Sequence, residues 1–155
     1  PPERMIEMGI HTLSDSIGQS GGAIEWVCSK GNKYKISLLT LEKQSELERA
    51  FERKSLEKIR EYKEFLDKEE YDKQIAEVIE SIKNGEFVFG GKRSSELLRT
   101  LWGISTLFSI LAGISANDAS TLINENSEIS SLVEMVVERS FPVAMGKAKA
   151  QEEKT

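Results

Sequence analysis

The chain has 155 residues, 30% of them charged, and a formal net charge of −5. That length suits one domain with a real core. The acidic balance argues against a nucleic-acid binder driven by phosphate contacts, which needs a basic face. The only cysteine, Cys28, has no partner for an internal disulfide, so no oxidising compartment is implied.

Residues 1–22 lack the continuous apolar core of a secretory signal. Met5, Ile6, Met8 and Ile10 are followed by the glycine- and serine-rich run Ser14 to Gly22, which gives the backbone little reason to order. A flexible arm over 1–22 is expected, either mobile in the isolated chain or ordered only where its apolar side chains dock on another subunit. Residues 23–142 are read as a hairpin plus helical domain, and 143–155 as a disordered polar tail.

From Ala23 the pattern changes to alternation. Ile24, Trp26 and Cys28 interleave with Glu25, Val27 and Ser29, and Tyr34 and Ile36 share a face after the turn Lys30-Gly31-Asn32-Lys33. This predicts a β-hairpin, with Gly31 and Asn32 able to take positive φ. Two strands alone are marginal in water, so the apolar face must meet a helix of the chain or a neighbour.

Thr40 is a candidate N-cap for a helix from Leu41 to about Leu66. Its apolar stripe is Leu47, Phe51, Leu56, Ile59, Tyr62 and Leu66 on an otherwise charged surface. A second helix is expected over Tyr71 to Lys83, with Ile75, Val78, Ile79 and Ile82 on one face and Gly85 closing it in the left-handed region. Phe87, Val88 and Phe89 read as a short extended piece. The turn Gly90-Gly91 follows, with Lys92, Arg93 and then Ser94 as the next N-cap. Glycines and basic residues ahead of a helix resemble an anion site in outline, but the phosphate-loop spacing is missing, and a plain turn is the expectation.

The longest apolar stretch runs from Leu97 to Ile114, with no charge between Thr100 and Asn117. Leu97, Leu98, Leu101, Ile104, Phe108 and Leu111 make a stripe, and Trp102, Leu107 and Ile110 widen it. A helix apolar on most sides is central in a domain or faces a subunit. The length also touches the ~18-residue threshold of a membrane span, so a membrane anchor over residues 98–114 is the alternative. Arg99, Gly103 and several hydroxyls speak against it. Gly113 ends this helix. Ser115-Ala116-Asn117-Asp118 has capping-box form and predicts a short helix through about Asn124. A last helix is expected over Glu128 to Arg139, with Pro142 stopping it.

The fold class is therefore α+β and mostly helical: an N-terminal β-hairpin, then four to five helices around a central apolar one. Chemistry is poorly supplied. His11 is the one histidine, no Cys/His cluster exists, and no nucleophile-elbow, Walker or dinucleotide fingerprint appears. No catalytic, metal or cofactor residues are expected. The candidate contact residues are Trp26, Tyr34, Ile36, Trp102 and Phe108.

The stretch Gly31 to Glu42, with Tyr34, Ile36, Leu39, Thr40 and Leu41 in the order Tyr-x-Ile-x-x-Leu-Thr-Leu, resembles the opening of small proteins encoded among the tail genes of tailed bacteriophages. The later apolar helix ahead of an Asp-containing turn and helix, Leu97 to Leu122, is similar to such proteins too. They include tail assembly chaperones and minor virion proteins. The resemblance covers Gly31 to Val137. It implies a non-enzymatic structural or assembly role in the virion or host cytoplasm. It implies protein partners, namely other phage structural proteins and copies of this chain. No nucleic acid is expected, on the acidic balance, and a membrane stands only as the alternative given above.

Overall fold

The computed structural model describes residues 22–141. The expected arm (all but its last residue), the expected tail over 143–155, and with them His11 and Pro142, lie outside those residues.

Strands β1 (Ile24–Val27) and β2 (Lys33–Ile36) form an antiparallel pair in the register Ile24↔Ile36, Glu25↔Lys35, Trp26↔Tyr34, Val27↔Lys33. The alternation is obeyed. Ile24, Trp26, Cys28 and Ile36 are buried, whereas Glu25, Val27, Lys33 and Lys35 are exposed. The Gly31 N–H donates to the Cys28 carbonyl and the Cys28 N–H to the Asn32 carbonyl, both at 2.9 Å. Of the two central turn residues, Gly31 takes a positive φ, 87°. Asn32 does not, because one left-handed residue suffices to reverse this loop.

Helix α1 (Leu41–Glu61) starts where Thr40 Oγ1 accepts the Lys43 N–H at 3.2 Å. It stops short of the expected Leu66. A 3-10 turn (Lys63–Phe65) intervenes, and Asp67 Oδ1 accepts the Glu70 N–H at 2.8 Å, capping α2 (Lys68–Lys83) three residues before Tyr71. Gly85, with φ 72°, follows α2 as expected. Residues Phe87 to Phe89 are not extended. Glu86 N–H donates to the Ser81 carbonyl and Gly91 N–H to the Val88 carbonyl, so the segment is a chain of turns that drives Phe87 into the core at 1% exposure.

The apolar stretch is two helices, not one, which makes six helices in all among the described residues. Helix α3 (Lys92–Leu97) is followed by a break, and α4 spans Leu101–Ala112. Gly91, not Ser94, is the N-cap of α3. Thr100 makes the corner: its Oγ1 donates to the Leu97 carbonyl at 2.6 Å and accepts the Gly103 N–H at 3.0 Å. Gly103 permits it, since a Cβ there would lie 1.9 Å from the Leu97 oxygen. Gly113 ends α4 with φ 66°. Ser115 Oγ accepts the Asp118 N–H at 3.1 Å and opens α5 (Ala116–Glu125), and α6 spans Ile129–Ser140.

Helix α4 is the hub. It touches β2, α1, α3, α5 and α6, and Leu107, Phe108 and Leu111 are almost fully buried. Its 12 residues span about 18 Å, against the ~30 Å of a bilayer's hydrocarbon core. No single helix among the described residues is long and apolar enough to cross a membrane. The pair α4 and α5 meets that length and composition only with a bend of 111° between them.

Asn126, at 2% exposure, joins the hairpin to this helical body. Its Oδ1 accepts the Ser29 N–H at 2.8 Å and its Nδ2 donates to the Leu122 carbonyl at 2.9 Å. The Lys30–Glu125 ion pair beside it is solvated and worth little. Asn126→Ala is expected to cost about 1–3 kcal/mol, the penalty of buried groups left unpaired, whereas Glu125→Gln is expected to be nearly silent. Urea unfolding of the two variants checks this.

Candidate interaction surfaces

The five residues singled out from the sequence separate into two groups. Trp26, Ile36 and Phe108 are core residues, exposed by 5%, 0% and 0%. The Trp26 ring meets Phe108 edge-on at 5.8 Å and Tyr34 at 5.7 Å. The apolar face of the hairpin is therefore satisfied inside the chain by α4, and these three side chains offer nothing to a partner. Tyr34 and Trp102 are partly buried and keep some surface. Trp102 rests on Phe51 at 5.5 Å, with the Lys54 ammonium 5.3 Å above its ring.

The surface that the sequence left unmarked is the far end of α1 and α2. Among the described residues α2 lies mainly against α1. The hydrophobic core reaches Leu56 and Ile59 on α1, but neither Tyr62 nor Phe65 belongs to it. Phe65 is 81% and Tyr62 52% exposed at the corner between the helices. The reason is length. At 1.5 Å per residue, the 21 residues of α1 run about 32 Å, and the core meets them only as far as Ile59, so the last turn and the corner after it overhang. The stripe containing Tyr62 continues past the end of the core.

Between this overhang and the α3–α4 corner lies an open cleft of about 750 Å³ with an apolar base of Ile59, Val78, Leu97 and Trp102. Its lining carries both signs, with Lys54, Lys58, Lys73 and Arg93 beside Glu70, Glu77 and Glu96. A smaller cleft of about 330 Å³ sits between α1 and α4, beside Arg49 and Arg53. Close by on α1, burial in the first place, then the neighbouring Glu48, raises the Glu52 carboxyl above its ordinary range, with Arg49 opposing both.

The start of α3 is a turn in which two of the donors are already used. The N–H groups of Arg93 and Ser94 both donate to the Glu86 carbonyl, at 2.9 and 3.2 Å. Among the described residues no group of three or more His, Cys, Asp or Glu side chains is arranged to hold a metal ion. Comparison with protein-family models, with curated proteins and with solved structures finds no match to the chain.

Proposed function

We propose that this chain is a non-enzymatic structural or assembly protein of a tailed bacteriophage, working through protein–protein contacts in virion or tail assembly. One observation carries the contact reading: a pair of helices that overhangs its own core and holds Tyr62 and Phe65 in solvent at its tip. Burying a large aromatic ring is worth roughly 1.5–3 kcal/mol, and aromatic side chains are the usual anchors of interfaces. Tyr62 and Phe65 lie just beyond Ile59, the last α1 residue packed on the core, and two exposed rings so close together suit the surface of a partner. The phage assignment is supported by the resemblance of Gly31 to Glu42 and of Leu97 to Leu122.

The test is complementation in the phage that encodes the chain. Deleting the gene is expected to abolish tailed particles under the electron microscope. The double variant Tyr62→Ser/Phe65→Ser is expected to fold with unchanged thermal stability, because neither side chain is in the core, and yet to fail to restore particles. Normal particle yield without the gene would overturn the assembly role. Full rescue by the double variant would remove the tip from it.

A further inference from the structure

We propose that copies of this chain join head to tail through the hairpin, with β1 of one copy pairing antiparallel with β2 of the next. The inference rests on the assembly reading above and names its self-contact.

The hydrogen-bond parity of the hairpin decides which groups are free. The Cys28 N–H donates to the Asn32 carbonyl, and the register couples Trp26 with Tyr34 and Ile24 with Ile36. The even-numbered positions therefore exchange bonds within the hairpin. The N–H and C=O groups of Glu25 and Val27 point out from the free edge of β1, and those of Lys33 and Lys35 point out from the free edge of β2. The same parity is visible just beyond each strand. The outward Ser29 N–H is taken by Asn126 Oδ1 at 2.8 Å, and the outward Ser37 N–H by the Leu111 carbonyl at 2.9 Å. Among the described residues no element pairs with Glu25 and Val27 on the one edge or with Lys33 and Lys35 on the other. The two open windows are equally long and lie opposite one another in the hairpin's own register.

Charge selects among the ways two such edges meet. Pairing β2 with β2 sets Lys33 against Lys35 of the other copy, and like charges directly opposite repel. Pairing β1 with β1 sets Glu25 against Val27 and gains no charge contact. Pairing β1 with β2 in the hairpin's register sets Glu25 against Lys35 and Val27 against Lys33. Each Glu25 then lies between two lysines, one from its own hairpin and one from the neighbour. Lysine on an edge is a common guard against indiscriminate strand pairing. Here it guards β2 against its own kind and leaves it open to the acidic edge. Such a contact is heterologous, so it closes into a ring or continues as a filament.

The experiment is light scattering on the purified full chain across a concentration series. The mass is expected to rise with concentration. Val27→Pro removes only an N–H that points away from β2, a place where an edge strand tolerates proline, and it is expected to weaken self-association roughly tenfold. Glu25→Lys alone and Lys35→Glu alone are each expected to weaken it, and the two together to restore it. Trp26 emission reports that the hairpin stays folded, and the charge variants carry the test should Val27→Pro disturb it. A chain that is monomeric at every concentration overturns the proposal. So does self-association indifferent to the charge exchange. Neither result touches the assembly role, which the complementation experiment judges separately.

Discussion

Gly103→Ala is expected to be the most damaging single-methyl change in this protein, costing on the order of 3 kcal/mol or more. The added Cβ would meet the Leu97 carbonyl oxygen at 1.9 Å, its carbon at 2.6 Å and the Leu98 nitrogen at 3.1 Å. All three are backbone atoms of the α3–α4 corner, so no rotamer change relieves the clash. The corner itself must open, and with it go the bonds from Thr100 to Leu97 and Gly103. Gly113→Ala is the control. A Cβ there meets nothing within 4 Å, but φ is 66°, so the cost is that of a left-handed L-residue alone, about 1–2 kcal/mol. Urea denaturation of both variants separates the two causes. Equal, small losses would mean that the corner is not closed as described.

Trp26→Asp is expected to leave the hairpin undocked. Trp26 is 5% exposed and packed between Tyr34 and Phe108. The substitution removes an aromatic ring from the core, about 3–5 kcal/mol on its own, and places a carboxylate between the rings of Tyr34 and Phe108, which costs several kcal/mol more unless it protonates. A domain of this size is stable by only ~5–15 kcal/mol in all. The expected outcome is loss of cooperative thermal unfolding, or a large drop in its midpoint. Glu25→Gln, one residue away on the solvent face of the same strand, should leave that midpoint unchanged. Equal tolerance of the two would mean that the strand phase is wrong.

Both expectations begin in local sequence, but in different degrees. The phase of the hairpin was legible because alternation in a strand admits only two faces, and Ile24, Trp26 and Ile36 could share just one. The caps at Thr40 and Ser115, and the stops at Gly85 and Gly113, were legible for a similar reason. A cap is a bond between a side chain and a backbone group two or three residues away, so the chain carries the whole signal. The dominance of the stretch around Phe108 followed from its composition.

Other features were not written locally. No proline or glycine marks the break between Leu97 and Leu101. It exists because α3 and α4 must turn to cover α1 and the hairpin, and Gly103 lets one backbone lie against the other. Ser94 looked like a cap and is instead wholly buried, since the turns before it pull the start of α3 back to Gly91. Periodicity identified Trp26, Ile36 and Phe108 as an apolar surface but could not say whether a partner or the chain itself would cover it. Tertiary packing assigned them to the chain. It also left Tyr62 and Phe65 outside, because a helix has no record in its own sequence of where the body beneath it ends.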